Sequence, residues 1–375
     1  MELELPPLET GGRNRDGVSH GDSEEIVKNE TIVITGASAG LGRAVAREFG
    51  RHGAKVGLLA RGIDGLEAAK REIEALGGHA MVMPTDVADA NAVEQAAAAV
   101  EEQFGPIDIW INNAMTSVFS PVKEMEPEEY KRVTEVTYLG VVHGTLAALK
   151  RMLPRDQGTI VQVGSALVYR SIPLQSAYCA AKHAVAGFTD SLRCELIHDK
   201  SKVRLTMVQM PALNTPQFGW VKNRLKNKAQ PVPPIFQPEV GARAIYWVSH
   251  HHRREIYVGW STVEAIVGNK LAPRAADRYL GRTGYESQQT SVPEDPNRPD
   301  NLWKPISGDH GAHGTFDNRA RENSHQLRAD LHRLWIGLGL AAAMGAGFFL
   351  ASESRSESST SHSKIPASRG RRRAA

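Results

Sequence analysis

The chain has 375 residues, 41% of them hydrophobic and 23% charged, with 45 Lys and Arg against 42 Asp and Glu for a formal net charge of +3. That length and balance provide for one substantial core and a long remainder, while the small, dispersed charge, with no basic helix or aromatic-interleaved patch, excludes a nucleic-acid partner as the main reading. The two cysteines, Cys179 and Cys194, fall on one expected helix about 22 Å apart, beyond disulfide reach, which points to a reducing compartment.

In chain order, Met1 to Asp22 is acidic, bears proline and glycine and lacks an apolar signal region. Residues 1–27 therefore read as a flexible N-terminal segment, and the folded part is expected to stay in the cytoplasm. Thr31-Ile32-Val33-Ile34 reads as a strand, Thr35-Gly36-Ala37-Ser38-Ala39-Gly40-Leu41-Gly42 as a tight turn, and Arg43 to Gly50 as a helix. Glycines let backbone approach a ligand closely, and the bare N–H groups of a helix start can hold a pyrophosphate. Strands follow at Lys55 to Leu59, Ala80 to Pro84, Ile107 to Ile111 and Thr159 to Val163. Helices between them run over Leu66 to Leu76 and Ala92 to Phe104, and start near Pro127 and Leu139. Such alternation predicts an α/β fold, a doubly wound parallel sheet with ligands beyond the carboxyl ends of its strands. The glycine turn, Asn112, Ser165 and the helix carrying Tyr178 converge there.

Tyr178 and Lys182 lie one helical turn apart in Ser176-Ala177-Tyr178-Cys179-Ala180-Ala181-Lys182, so both face one side. A nearby ammonium favours phenolate and lowers a tyrosine pKa toward working pH, which suits proton exchange with an alcohol or carbonyl oxygen. Together with Ser165, thirteen residues before the tyrosine, and the glycine turn, the pair reads as a hydride-transfer site.

The set Thr-Gly-x-x-x-Gly-x-Gly, Asn112-Asn113-Ala114 after the fourth strand, Ser165 and Tyr178-x-x-x-Lys182 resembles the short-chain dehydrogenase/reductase family over roughly residues 28 to 260. The resemblance implies a single Rossmann-type domain, a nicotinamide cofactor, and hydride transfer to or from a carbonyl or alcohol carbon. It implies that Ser165 polarises the substrate oxygen, Tyr178 is the general acid or base, and Lys182 binds the nicotinamide ribose and tunes Tyr178. The cofactor contacts it implies are Gly36, Ser38, Ala39, Gly40, Leu41, Gly42, Arg61, Asp86, Val87, Asn113 and Thr215, besides Tyr178 and Lys182, with Asn112 near the ribose. Thr137 stands where the family usually carries an Asn that relays protons to the lysine, so it takes that place among the catalytic residues. Met115 and Ala212 replace glycines usual in the family. The second strand ends Leu58-Leu59-Ala60-Arg61, without the acid that binds the ribose hydroxyls of NAD. Arg61 offers a guanidinium for a 2′-phosphate, which favours NADP(H) over NAD(H).

Beyond the motifs, residues 214–239 carry prolines, lysines, Phe218, Trp220 and Phe236 and read as a lid over a hydrophobic substrate, or as a loop whose aromatics pack on the sheet edge. The family-like domain is placed at 28–285. Residues 286–333, rich in Pro, His, Asp and Arg, read as a linker or loosely ordered arm. His310, His313 and His325 make no convincing metal set. Residues 334–351 hold no charge over eighteen positions, a length of about 27 Å as a helix, and read as a single transmembrane helix. A basic, disordered tail follows at 352–375. The expected protein is thus a membrane-associated oxidoreductase, a homo-oligomer by analogy with the family, acting on a hydrophobic alcohol or carbonyl compound. The alternative is a catalytically weakened NADP-binding module with an interaction or sensing role, marked by Thr137 and Met115.

Overall fold

A computed structural model describes residues 29–333. Its centre is a seven-stranded, wholly parallel sheet: β1 (Thr31–Thr35), β2 (Lys55–Ala60), β3 (His79–Pro84), β4 (Ile109–Asn112), β5 (Thr159–Ser165), β6 (Arg204–Met210) and β7 (Glu255–Tyr257). Their spatial order is 3-2-1-4-5-6-7, the doubly wound order whose direction reverses between β1 and β4. Pairing is in register, with Val33 opposite both Gly57 and Trp110.

The β-branched runs form strands because both sheet faces are covered. Ile32 and Ile34 point to a core shared with α1 (Gly40–Arg51), α2 (Ile63–Ala75) and the later helix Pro238–His250, through Phe49, Ile73, Val240 and Ile245. Val33 points the other way, to a second core with Val100 of α3 (Ala90–Phe104), Ala148 and Met152 of α5 (Gly140–Met152) and Leu192 of α6 (Ser176–His198). Local signals agree with these bounds. Asp89 caps α3 by accepting from the Asn91 and Ala92 N–H groups, and Glu126 and Glu129 form a capping box ahead of Pro127 at the start of α4 (Pro127–Thr134). Between α4 and α5, Glu135–Leu139 is a π-helical turn, a local widening frequent at functional sites.

After β6 the chain runs through short pairings to α7 (Pro238–His250), β7, α8 (Trp260–Leu271) and α9 (Pro273–Thr283). Residues 286–333, expected from composition as a linker or loose arm, are instead laid onto the domain. Gln289–Pro293 pairs with Asn227–Ala229, and Ala320–Arg321 with Ile235–Phe236. Leu302 is fully buried, and α10 (His325–Leu331), capped by Ser324, sets Leu327 into the first core. Composition hid this because the segment is held by a few buried apolar side chains and by polar groups of the domain that accept or donate to its backbone.

No helix among the described residues is long and apolar enough to cross a membrane. The expected span at 334–351, the segment 1–27 together with Lys28, and the tail at 352–375 lie outside the described residues.

Candidate active site

The carboxyl ends of the strands open onto a cavity of about 710 Å³, within the usual range for small-molecule sites. One wall is the turn between β1 and α1. Gly36 and Gly40 stand at φ +69° and +58°, and a Cβ on Gly36 would lie 2.9 Å from Ala114 Cα, so only glycine fits. Gly36, Ser38, Ala39, Gly40 and Leu41 line the cavity. Gly42 does not: a Cβ there would sit 2.2 Å from the Gly36 carbonyl oxygen, so its bareness lets the helix start close against the turn. α1 has no side-chain cap; the Gly40 N–H donates to Gly311 O at 3.0 Å, and the N–H groups just after it offer the kind of cradle that binds anions.

Thr35 ties this turn to the β4 loop, its Oγ1 accepting from the N–H groups of Asn113 at 2.9 Å and Ala114 at 3.0 Å. Asn113 returns Nδ2 to Thr35 O at 2.9 Å and faces the cavity. Asn112, expected near a ribose, points away, as neighbouring strand residues must. Its amide is enclosed by Trp110, Thr145 and Gln162 at 2.8–3.0 Å, which makes it a structural cross-link. Met115 and Ala212 line the cavity where the family has glycines, and neither is at positive φ.

Ser165 ends β5, and Tyr178 and Lys182 project from the first turns of α6 onto the same cavity. Ser165 is hydrogen-bonded to the Tyr178 hydroxyl, yet burial pushes that phenol well above its usual value and outweighs the serine. The downward pull expected of Lys182 does not outweigh that burial. Lys182 is 2% exposed, its Nζ donates to Val163 O at 2.7 Å and stands 5.6 Å from the Tyr178 ring centre. Burial lowers its own pKa to about 8.

Thr137 is not at the cavity. Its hydroxyl donates to Thr116 O at 2.9 Å and accepts from Thr116 N–H at 3.0 Å, fully buried. A hydroxyl has one proton, and this one is spent holding the loop after β4. Thr137 is thereby corrected from a relay position to a structural one. Asp86 and Val87 do line the cavity, with Asp86 Oδ2 held by Arg132 at 2.6 Å. Thr215 lies against Gly40. Arg61 also faces the cavity, but its guanidinium is partly engaged by backbone carbonyls of Asn301, Leu302 and Trp303 at 2.5–3.3 Å.

The 214–239 segment divides between its two expected roles. Phe218 and Trp220 face the cavity, whereas Phe236 is buried in the first core. The segment is pinned by Glu129, which takes both Arg224 amino groups at 2.7 and 2.9 Å and Lys222 at 2.9 Å. Sequence reasoning missed Arg132, the cavity-lining residues Asn301, Pro305, Ile306 and His310, and Tyr169, whose hydroxyl donates to Glu255 at 2.8 Å and steadies the loop after Ser165. The Gly308-Asp309-His310-Gly311-Ala312-His313-Gly314 run was the one visible signal of a tight, ligand-near turn among them. Among the described residues no group of three or more His, Cys, Asp or Glu side chains is placed to hold a metal ion.

A family model described as short chain dehydrogenase matches residues 30–224. The chain belongs to the short-chain dehydrogenase family. It is accordingly an oxidoreductase of the class acting on CH–OH or C=O groups. It is 32% identical over 305 residues to the uncharacterized oxidoreductase YxnA of Bacillus subtilis, covering 81% of this chain and 85% of that one. It is 32% identical to a fatty acyl-CoA reductase of Acinetobacter baylyi, covering 60% of this chain and 74% of that one. A solved structure, the alcohol dehydrogenase of the archaeon Thermococcus sibiricus complexed with 5-hydroxy-NADP, superposes with a TM-score of 0.53 at 28% identity, over 61% of this chain and 95% of that one. A metagenomic short-chain oxidoreductase in complex with NADP gives the same score at 26% identity, over 62% and 98%.

Proposed function

We propose that the protein is an NADP(H)-dependent reductase or dehydrogenase of a hydrophobic carbonyl or alcohol compound, with Tyr178 as the proton-transfer group. The observation that carries the reading is the convergence of Ser165, Tyr178 and Lys182 with the bare glycine turn on one cavity. The residues fit a dinucleotide: Gly36 and Gly40 bring bare backbone to the cavity, and Ala60 and Arg61 line it at the end of β2, where the acid of NAD-binding relatives is absent. A bound nicotinamide supplies or accepts the hydride.

The chain's own residues supply the rest. Ser165 Oγ holds the substrate oxygen beside Tyr178 Oη. Burial raises the Tyr178 pKa, so the neutral phenol is the form on hand to donate a proton to a carbonyl oxygen. As negative charge develops on the substrate oxygen, Tyr178 Oη gives up its proton to it, and the Lys182 ammonium stabilises the phenolate left behind. Phe119, Leu167, Ile172, Phe218 and Trp220 on the cavity wall support an apolar substrate, as does the likeness to the fatty acyl-CoA reductase of Acinetobacter. Membrane attachment through 334–351 with the enzyme in the cytoplasm, and homo-oligomerisation, remain part of this proposal on sequence grounds.

The test is NADPH and NADH consumption by the full chain with apolar ketones and aldehydes. Tyr178→Phe is expected to bind cofactor normally and lose about 10²–10⁴ in turnover, the usual share of a positioned acid. Equal turnover by the variant would refute the assignment. The binding-module reading is favoured by one observation, the diversion of Thr137 to Thr116, and is what cofactor binding without any turnover would establish.

A further inference from the structure

The matched family region ends at residue 224, yet the cavity that it builds is completed by Asn301, Pro305, Ile306, Gly308 and His310. These residues belong to a strap fastened at several points. Arg61 Nη1 donates to the carbonyls of Leu302 at 3.3 Å and Trp303 at 3.1 Å, and Nη2 to Asn301 at 2.5 Å. Arg132 Nε donates to the same Leu302 carbonyl at 3.1 Å. Further on, Gly308 N–H donates to Asp64 at 2.7 Å, Asp309 pairs with the buried Arg43 at 3.2 Å, and Gly311 O accepts from Gly40 N–H at 3.0 Å. The strap thus runs from the end of β2 to the glycine turn.

A guanidinium has five N–H donors in a fixed plane. Three of those on Arg61 are satisfied by strap carbonyls, both on Nη1 and one on Nη2, which leaves the Nε–H and the second Nη2–H. Those two form one edge of the fork, the edge that binds a phosphate through two parallel hydrogen bonds. Arg132 stands beside it, so two guanidinium groups share this corner with one carboxylate, Asp86.

We propose that Asn301–Trp303 is a specificity element of the dinucleotide site, fixing the plane of Arg61 so that its free edge receives the 2′-phosphate of NADP(H), while the remainder of the strap encloses the cofactor. This rests on the NADP(H) reading above. Asn301–Trp303 are positioning residues acting through Arg61, and the strap must lift at Asp64 and Asp309 for the cofactor to exchange.

The experiment measures equilibrium binding of NADP⁺ and NAD⁺ to the full chain by calorimetry, and the release rate of NADPH by fluorescence chase. For the wild type, NADP⁺ is expected to bind at least tenfold more tightly than NAD⁺. Arg61→Ala and Leu302→Ala should each bring that ratio close to one chiefly by weakening NADP⁺, and Arg61→Lys should fail to restore it, since an ammonium cannot serve three carbonyls and a phosphate together. Because Leu302 is fully buried, the double variant Asp64→Ala/Asp309→Ala, at exposed positions, provides the second arm: it should speed NADPH release about tenfold with the fold intact. A ratio unchanged in Leu302→Ala, or an unchanged release rate in the double variant, overturns the proposal while leaving the NADP(H) reading standing. Binding of neither dinucleotide by the wild type overturns both.

Discussion

Replacing Lys182 by Met tests the buried ammonium directly. Lys182 is 2% exposed and titrates at about 8 in the fold against 10.5 for a free side chain. At about 1.4 kcal/mol per unit, holding it charged in the folded protein at pH 7 costs about 3 kcal/mol relative to the unfolded chain. The sign follows from proton counts. Between pH 8 and 10.5 the unfolded chain binds more protons than the folded one, so stability from this group rises with pH, and about 2 kcal/mol is recovered by pH 9.5. Methionine fills a similar volume without charge but forgoes the hydrogen bond to Val163 O, worth about 1 kcal/mol. Lys182→Met is therefore expected to be more stable than wild type by about 2 kcal/mol at pH 7 and nearly equal to it at pH 9.5. Urea unfolding followed by tryptophan fluorescence at the two pH values measures the gap. A gap that stays constant with pH refutes the reasoning, because it would mean that Lys182 is not held charged against its burial.

Other perturbations follow from the same geometry. Gly42→Ala puts a methyl group 2.2 Å from the Gly36 carbonyl oxygen, and is expected to displace the turn and weaken dinucleotide binding at least tenfold by calorimetry. Thr137→Val removes both bonds to Thr116 without changing shape; it should cost about 1–3 kcal/mol in chemical unfolding yet alter turnover less than threefold, whereas a relay residue would lose far more. Glu129 is desolvated, which alone would raise its pKa, but Arg224 and Lys222 pull it down to about 2 from 4.5. Its contribution, about 3 kcal/mol at most, is full above pH 4.5 and fades as pH falls toward 2, so Glu129→Gln should flatten the acid limb of a stability profile.

The strands, the glycine turn and the Ser165, Tyr178 and Lys182 set were readable because each depends on local chain: β-branched runs, positive-φ glycines, and residues four apart on a helix. Asn113 could not be told from Asn112 in function, since one residue of strand register decides which side chain meets the cavity. Thr137 was misread for a different reason. Its partner, Thr116, is twenty-one residues away, and no local pattern announces a hydroxyl that is already satisfied. Arg61 was recognised as facing the cavity, but not its carbonyl partners, because backbone acceptors carry no residue signature. The strap escaped for the same reason.

The bond from Arg61 to Asn301 closes a loop of 240 residues. A ribosome making this chain releases all seven strands by Tyr257 and delivers the final wall of the cavity later, so a product cut short between 258 and 300 carries all seven strands and lacks the strap. If the full-length fold alone retains the dinucleotide, that ligand stabilises complete molecules over truncated ones by mass action, and cofactor supply becomes a check on chain integrity. Pulse proteolysis of a chain ending at residue 300, with and without NADP⁺, reads this out: protection of the shortened chain equal to that of the whole one would dismiss it.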